Sequence, residues 1–254
     1  DQMNFRLIIA DTRSLKVTGS VPVGRYPFGL ALTNDEKKIY VANVGMFQYS
    51  KIGDIEARSD YGKALSFPPF GYNTKEMRNG IKTDSLIVPG LGDPNSDMAF
   101  SVWSVSLEDI SNPAVVARIK TGNLVGQMVE GIPAVGGSSP NSMAITSSYV
   151  FVSNGNNDNI TVIDIRNDSV IKDIYLKPDD AVKHFRGVIP FGLAVSPGGK
   201  RLYVAEAGIN AIGVIDLPSF KVLGHIPVGW FPSKVRVTPD GKKLVVANAK
   251  GYGS

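Results

Sequence analysis

Three observations in the sequence predict an all-β fold made of repeated four-stranded units. First, one pattern occurs four times: a proline, a short apolar run, a tight turn and a second apolar run that ends at Asn43, Asn154, Glu206 or Asn248. Second, the proline and the end residue lie 14 to 16 positions apart in every copy. Third, the runs are short, rich in β-branched and aromatic residues, and bounded by Gly, Pro, Asn or Asp, without a convincing helical period. Such repetition is typical of stacked units that bury their faces against one another.

Each unit resolves into four strands, called A to D in chain order. In the copy with the clearest boundaries, strands A to D are predicted at residues 191–195, 201–205, 211–216 and 221–227. The turn between A and B, Ser196-Pro197-Gly198-Gly199-Lys200, combines a proline that presets φ with glycines that tolerate positive φ. Four antiparallel strands per repeat predict the blades of a β-propeller, because a β-sandwich has no reason to repeat its sequence.

The repeats supply about four blades, and we expect residues 1–254 to form one incomplete propeller domain. Residues 5–23 read as strands C and D only, and residues 231–248 as strands A and B only. One interpretation pairs these two segments into the closing blade of a four-bladed ring. The favoured interpretation is an open arc that belongs to a larger propeller.

Three long insertions are predicted on one face of the domain. They cover residues 44–100, between strands B and C, and residues 122–138 and 177–188, each between strand D and the next strand A. Because antiparallel strands alternate in direction, B–C and D–A loops lie on the same side, whereas the short A–B and C–D turns lie on the other. Long loops that share a face favour a binding surface around the channel mouth over tolerated decoration.

Composition excludes several classes of function. The chain has 27 Lys and Arg against 23 Asp and Glu, and no basic run concentrates the net charge of +4, so we expect no nucleic-acid partner. No apolar stretch approaches the length of a membrane-spanning helix. The absence of cysteine excludes disulfides, a thiolate nucleophile and a Cys-based metal site. Residues 1–4 do not read as a signal peptide, and we expect the chain to begin inside a structure.

The repeated motifs resemble a known family. Ile39-Tyr40-Val41-Ala42-Asn43 and Leu202-Tyr203-Val204-Ala205-Glu206, each preceded by a Pro-x-Gly-Leu-Ala strand, resemble the YVTN repeats of surface-layer or YncE-like β-propellers. The resemblance covers essentially the whole chain except the insertion Met46–Asp97. Residues 135–141, 205–211 and 249–254 further resemble the propeller half of bacterial proteins that join a YncE-like propeller to an alkaline-phosphatase-superfamily phosphoesterase.

This resemblance implies a non-catalytic scaffold and recognition module. Propellers of this family usually have seven blades, and the proteins are exported to the periplasm or the cell surface. The implied partner is a C-terminal phosphoesterase domain, and a small molecule or glycan would bind at the channel face. The sequence leaves two alternatives open: a lactonase-like hydrolase that acts with channel carboxylates, and a purely structural cell-surface repeat. We expect the chain alone not to hydrolyse phosphoesters, because its two histidines could not hold two metal ions.

The candidate ligand-binding residues lie where strands and insertions reach the channel face. Asn43, Asn154, Glu206 and Asn248 end the four B strands. A residue type repeated in every unit suggests turn capping first and a polar ring at the mouth second. His184 and Arg186 lie on the third insertion, where they either contact a ligand or are simply solvated. The other histidine, His225, is expected at the surface of an outer strand.

One segment carries the spacing of a calcium loop. Asp93, Asn95 and Asp97 place oxygen ligands at alternate positions, as at the start of an EF-hand. The expected glycine is replaced by Met98 and the closing glutamate by Ser104, so an ordinary Asx turn competes with a calcium site. Residues 154–158 have a similar spacing with fewer charges. No other cofactor is indicated.

Overall fold

The computed structural model describes residues 1–48, 73–84, 87–182 and 184–251. Residues 49–72, 85 and 86 of the predicted 44–100 insertion, Lys183 of the third insertion, and the final residues 252–254 lie outside these ranges. Within them the chain is all-β and contains three four-stranded antiparallel sheets, consistent with blades. The all-β prediction and the four-stranded units are thereby confirmed.

The three complete sheets follow one another along the chain, and each adds its strands in sequence order. Sheet I consists of β3 (Pro27–Leu32), β4 (Lys38–Asn43), β7 (Ser101–Ser106) and β8 (Ala114–Lys120). Sheet II consists of β11 (Pro140–Ile145), β12 (Tyr149–Asn154), β13 (Asn159–Asp164) and β14 (Ser169–Tyr175). Sheet III consists of β15 (Pro190–Val195), β16 (Arg201–Glu206), β17 (Ala211–Asp216) and β18 (Lys221–Pro227).

Two incomplete sheets flank the complete ones. The N-terminal pair is β1 (Arg6–Ala10) with β2 (Val17–Pro22), and the C-terminal pair is β19 (Pro232–Val237) with β20 (Leu244–Asn248). Each is a separate two-stranded sheet. The four-bladed interpretation, in which both pairs join into one sheet, is therefore wrong for this structure. In the part of the chain that the structure describes, β1 forms its ladder only with β2, and β20 forms its ladder only with β19.

The hydrophobic core lies between successive sheets. The N-terminal pair packs Leu7 and Val21 against Trp103 of sheet I. Between sheets II and III, side chains such as Phe151 and Leu202 are fully buried. Equivalent clusters join sheet I to sheet II and sheet III to the C-terminal pair. Each sheet thus buries its faces against its neighbours, as the repeats predict.

Every first strand begins in the same way. The residue before the opening proline has a positive φ in sheets I, II and III and in the C-terminal pair: 51° at Tyr26, 55° at Ser139, 52° at Ile189 and 55° at Phe231. The proline itself needs no hydrogen-bond partner for its nitrogen, which suits the first residue of a strand at a sheet edge. The first strands contact one another in chain order, β3 with β11, β11 with β15 and β15 with β19. Residues of all four strands line one common space, called the central space below.

The insertions contain small elements that the sequence analysis did not predict. Hairpin β5–β6 (Gly80–Lys82 and Ile87–Pro89) and hairpin β9–β10 (Met128–Val129 and Ile132–Pro133) lie in the first and second insertions. The described part of the first insertion also contains a short helix, α1 (Lys75–Asn79), and the third contains a single 3-10 turn (Asp180–Val182). The N-terminus of α1 is capped by Thr74, whose side chain accepts a hydrogen bond from the Met77 amide at 3.1 Å. A helix this short leaves too little periodicity for sequence analysis to detect.

Candidate functional site

The three insertions meet on one side of the sheets. In the first, the Asn95 side chain exchanges two hydrogen bonds with Val125 of the second: its amide nitrogen donates to the carbonyl at 3.0 Å, and its oxygen accepts from the backbone amide at 2.9 Å. Glu130 of the second insertion contacts Lys177 and Arg186 of the third. The described parts of the insertions therefore share a face, and that prediction is confirmed.

Glu130 is the centre of a polar cluster on this insertion face. Its carboxylate accepts hydrogen bonds from Lys177 Nζ at 3.2 Å and Arg186 Nη2 at 2.8 Å, and it lies 3.2 Å from His184 Nδ1. Hydrogen bonds from His184 and Lys177, with the charge of Arg186, lower the pKa of Glu130 to about 2. The structure thus brings His184 and Arg186 together, as predicted residues of this face, and joins them to a carboxylate that sequence analysis did not single out.

The residues that end the second strands of the sheets are wholly or partly buried. Asn43, Asn154 and Glu206 are fully buried, and Asn248 is partly buried. Asn43 Nδ2 donates to the carbonyl of Ser101 on the adjacent strand at 3.2 Å. Asn154 Nδ2 likewise donates to Asn159 and Thr161 on the adjacent strand, each at 2.8 Å. Direct contact of these residues with a ligand stays a prediction.

A glycine covers each of the three asparagines. A Cβ placed on Gly24 would lie 2.6 Å from Asn43 Cγ, and one on Gly229 would lie 2.6 Å from Asn248 Nδ2. A Cβ on Gly122 would lie 3.3 Å from Asn154 Cγ, but it would first meet Asn157 Oδ1 at 2.5 Å and Ser138 Cβ at 2.7 Å. Each of these glycines follows the last strand of the preceding sheet, so asparagine and glycine lie together where one sheet meets the next.

In sheet III a glutamate and a histidine replace this arrangement. Glu206 is fully buried, and its Oε2 lies 2.6 Å from His225 Nδ1. His225 Nε2 lies 3.0 Å from the Lys177 carbonyl, at the start of the third insertion. The expectation that His225 is a surface residue was wrong, because its side chain is only 16% exposed. The physical reason is Gly213, which lies opposite His225 and leaves room for the Glu206 side chain to cross the sheet.

Burial governs the protonation of this pair. It raises the pKa of the Glu206 carboxyl, although the hydrogen bond from His225 acts in the opposite direction. The other oxygen, Oε1, has no hydrogen-bond partner among the described residues. Loss of charge is the usual response of a carboxyl group held away from water.

The strand register shows that Asn154, Thr161 and Asp173 of sheet II correspond to Glu206, Gly213 and His225 of sheet III. Asn154 Nδ2 donates to Thr161 Oγ1 at 2.8 Å, and Thr161 Oγ1 donates to Asp173 at 2.5 Å. Asp173 lies opposite Thr161, as His225 lies opposite Gly213. Asn154 and Asp173 are separated by the same number of residues as Glu206 and His225. Comparison of the two repeats could therefore have identified Glu206 and His225 as a pair.

The predicted calcium residues are engaged by other protein groups. Asp93 Oδ1 accepts from the backbone amide of Asn95 at 2.9 Å, Asn95 holds Val125, and Asp97 Oδ2 accepts from Arg118 Nη1 at 2.8 Å. In the part of the chain that the structure describes, no group of three or more His, Cys, Asp or Glu could hold a metal ion. The calcium site stays a prediction, and the contacts seen are those of an Asx turn and an ion pair.

The side chain of Lys120 packs against the loop that carries Asp93, Asn95 and Asp97. Lys120 Nζ donates to the carbonyl of Ser96 at 3.0 Å and to that of Ala99. Burial lowers the pKa of Lys120 to about 8, although Asp93 and Asp97 raise it. The second candidate loop is also occupied, because Asp158 accepts hydrogen bonds from the amides of Gly187 at 2.7 Å and Ile189 at 2.9 Å.

Two kinds of cavity are present in the described structure. The central space between first strands includes a cavity of about 360 Å³, lined by apolar residues with Lys234 and Arg236. A larger cavity of about 630 Å³ lies on the side away from the insertions, among the short turns of sheets I and II, with Lys37 and Asp168 in its wall. Neither contains the Glu130 cluster. In the wall of the larger cavity, Lys38 Nζ lies 2.8 Å from Asp168 Oδ2, and Asp35 Oδ1 accepts a hydrogen bond from the Thr33 hydroxyl at 2.7 Å.

Comparison with known proteins gives limited similarity. No family model matches the sequence. Hydrazine synthase subunit beta from Kuenenia stuttgartiensis is 30% identical over 117 residues, which cover 36% of this chain and 29% of that protein. The chain therefore spans less than a third of this curated relative. A functionally unknown protein from Desulfotomaculum acetoxidans DSM 771 aligns with a TM-score of 0.47 at 14% identity, over 98% of this chain and 71% of that chain.

Proposed function

We propose that the chain is a non-catalytic β-propeller scaffold that binds a ligand or a partner domain on the insertion face. One observation carries this proposal: three separate insertions are joined by specific polar contacts, Asn95 with Val125 and Glu130 with Lys177 and Arg186. Loops that were only tolerated would have no need of such contacts. Binding sites are commonly formed by several loops that a rigid β scaffold holds in place.

Membership of the YVTN or YncE-like propellers is part of the same proposal. The repeated motifs occupy equivalent places in sheets I, II and III, and the sheets stack in sequence order. We further propose an exported protein, periplasmic or at the cell surface, whose parent carries a phosphoesterase domain. These two points rest on the resemblance of the sequence motifs.

A role in an assembly agrees with the curated relative. That protein is named as a subunit of hydrazine synthase, and the similarity covers 29% of its length. We therefore favour a protein partner over a free small molecule or glycan as the occupant of the insertion face. The structure contains no helix, among the described residues, that is long and apolar enough to cross a membrane.

The lactonase-like alternative has less support. A hydrolase of that type would need carboxylates in the central space. The two cavities between the first strands are lined by Lys234 and, in one of them, Arg236, and none of their described lining residues is Asp or Glu. The structural-repeat alternative does not account for the contacts that join the insertions.

A binding screen with paired variants tests the proposal. The labelled protein would be applied to peptide and glycan arrays beside an insertion-face variant, Lys177→Glu with Arg186→Glu. The matched control, Lys37→Glu with Lys200→Glu, makes the same charge change at exposed lysines in the short turns on the opposite side. We expect the insertion-face variant alone to lose specific binding. Binding that only the control variant loses would contradict the proposal.

A further inference from the structure

The hairpin that carries Glu130 is unusual in its backbone. Glu130 and Gly131 are the two central residues between β9 and β10, with φ values of 52° and 82°. Two positive values define the turn type in which Asn, Asp or Gly normally occupies the first position. Glu130 occupies that first position here, and the hairpin places its carboxylate beside the third insertion.

That place is an anion site made by the third insertion. Lys177, His184 and Arg186 all direct nitrogen atoms at the Glu130 carboxylate within 3.2 Å. The same nitrogen donors lower the pKa of Glu130 to about 2, so the carboxylate that they hold is the charged form. The neighbouring acid Asp179 uses its carboxylate to cap its own turn, accepting from the Ala181 amide at 2.7 Å.

The site is open to an external group. The side chains of His184 and Arg186 are 86% and 48% exposed, so a second carboxylate can approach them from solvent. Exposed apolar residues flank members of the cluster in sequence: Met128 and Ile132 lie two residues to either side of Glu130, and Phe185 lies between His184 and Arg186. Apolar side chains beside cations suit an acidic protein segment that also carries apolar residues.

We infer that Glu130 is a built-in occupant of an anion site, and that an acidic, apolar segment of a partner protein displaces it from Lys177 and Arg186. This inference rests on the proposed function, since it names the partner class of the same face. The carboxylate of the partner would form the ion pairs that Glu130 now forms. Lys177 and Arg186 are paired with Glu130 in the free protein and would be paired with the partner's carboxylate in the complex. Binding therefore leaves neither cation without a counter-ion.

Fluorescence anisotropy with a defined probe tests displacement. The probe is a fluorescein-labelled peptide of alternating Glu and Leu, with Gln–Leu and Lys–Leu peptides as controls. We expect Glu130→Gln to bind the Glu–Leu peptide about three- to tenfold more tightly than the native chain, because a competing set of exposed ion pairs is removed. Glu108→Gln, an exposed glutamate among the short turns, is the matched control and should leave affinity unchanged. Arg186→Gln should abolish binding.

A second measurement follows the displaced group itself. The carboxyl carbon signal of Glu130 reports its pKa by NMR, and saturating Glu–Leu peptide should raise that value from about 2 towards the ordinary 4.5. Equal affinity of the native and Glu130→Gln chains, an unchanged Glu130 titration, or no preference for the acidic peptide would overturn displacement. Array binding that depends on Lys177 and Arg186 would still support the proposed function in that case, so the two failures are distinguishable.

Discussion

At the scale of single residues, the junctions between sheets depend on glycines that lie over buried asparagines. Gly24 is the clearest case, because Asn43 beneath it is fully buried and donates to the carbonyl of Ser101 at 3.2 Å. The side chain has no free space into which it can turn, since its own sheet and the preceding chain enclose it. A methyl group on Gly24 would force one of the two residues to move.

We therefore expect Gly24→Ala to lower the free energy of unfolding by about 1–3 kcal/mol, the usual cost of overpacking a well-packed site. A double-mutant cycle of Gly24→Ala with Asn43→Ala, measured by urea unfolding, tests whether contact with the Asn43 side chain is the cause. In the Asn43→Ala background two of the three closest atoms, Asn43 Cγ at 2.6 Å and Nδ2 at 2.7 Å, are gone and the Cβ at 2.9 Å remains, so Gly24→Ala should cost clearly less there. Additive effects of the two substitutions would refute the contact as the reason.

Sequence alone predicted half of this motif. The repeat identified Asn43, Asn154 and Asn248 as turn-capping residues, since a residue type repeated at one position usually maintains the unit. It did not identify Gly24, Gly122 and Gly229 as their partners. The pairing depends on how the end of one sheet approaches the second strand of the next, which is a tertiary distance and leaves no local periodicity.

At the scale of elements, neighbouring sheets use different chemistry at equivalent contacts. Between sheets I and II, the Tyr40 hydroxyl donates to Asp168 Oδ1 at 2.5 Å, and Lys38 Nζ lies 2.8 Å from Asp168 Oδ2. Between sheets II and III, the corresponding positions are Phe151 and Phe220, whose ring centroids are 6.4 Å apart. A polar junction and an aromatic junction thus occupy the same place in the repeat.

Removing the Tyr40 hydroxyl should destabilise the polar junction. We expect Tyr40→Phe to lower the free energy of unfolding by about 1.5–3 kcal/mol, because a hydrogen bond to a charged carboxylate that is only 12% exposed is lost. Tyr203→Phe is the matched control, since the Tyr203 hydroxyl makes no hydrogen bond within the described ranges. Equal losses for the two variants in urea unfolding would show that the bond to Asp168 contributes nothing specific.

The Glu206–His225 pair makes the stability of sheet III depend on pH. Burial raises the pKa of Glu206 above its ordinary 4.5, so the uncharged acid is favoured in the folded state. Stability from this group is therefore fully present below pH 4.5 and is lost as the pH rises through the folded-state value. Glu206→Gln keeps an uncharged donor for His225 and removes the titration.

The measurable consequence is a difference between two pH profiles. As the pH rises from about 4 to 8, the native chain should lose stability relative to Glu206→Gln in urea unfolding. Glu130→Gln provides a control of opposite sign, because the Glu130 pKa is lowered to about 2 and its contribution is lost only as the pH falls below 4.5. Parallel profiles for the native and Glu206→Gln chains would show that Glu206 does not titrate as described.

The elements of the sheets were largely predictable, whereas the candidate site was only partly so. Alternation of antiparallel strands determined the face of the insertions before any distance was known. His184 and Arg186 were identified from their place on that face, but Glu130 was not, because a lone glutamate between two short apolar runs carries no signal. His225 was misplaced for a similar reason: its burial depends on the missing side chain of Gly213 on another strand.

At the scale of the whole molecule, the two strand pairs at the ends are the exposed features. Among the described residues, β1 forms a strand ladder only with β2 and β20 only with β19, so each has one edge without a partner strand. The side chain of Val245 in β20 is 60% exposed. Unpaired edges with apolar side chains act as templates for pairing with another chain. Stacked repeats also lose stability where a neighbouring unit is missing.

We therefore expect the isolated 254-residue chain to self-associate with rising concentration through these edges. Val245→Lys should reduce the association measured by light scattering, because a lysine on an edge strand opposes pairing. Ile110→Lys is the control: Ile110 is 55% exposed but lies in the turn between β7 and β8 of sheet I, outside any strand. It should leave association nearly unchanged, which separates edge pairing from general surface hydrophobicity. A chain that stays monomeric at every concentration and melts cooperatively would contradict open edges and would favour the pairing of β1–β2 with β19–β20 in solution.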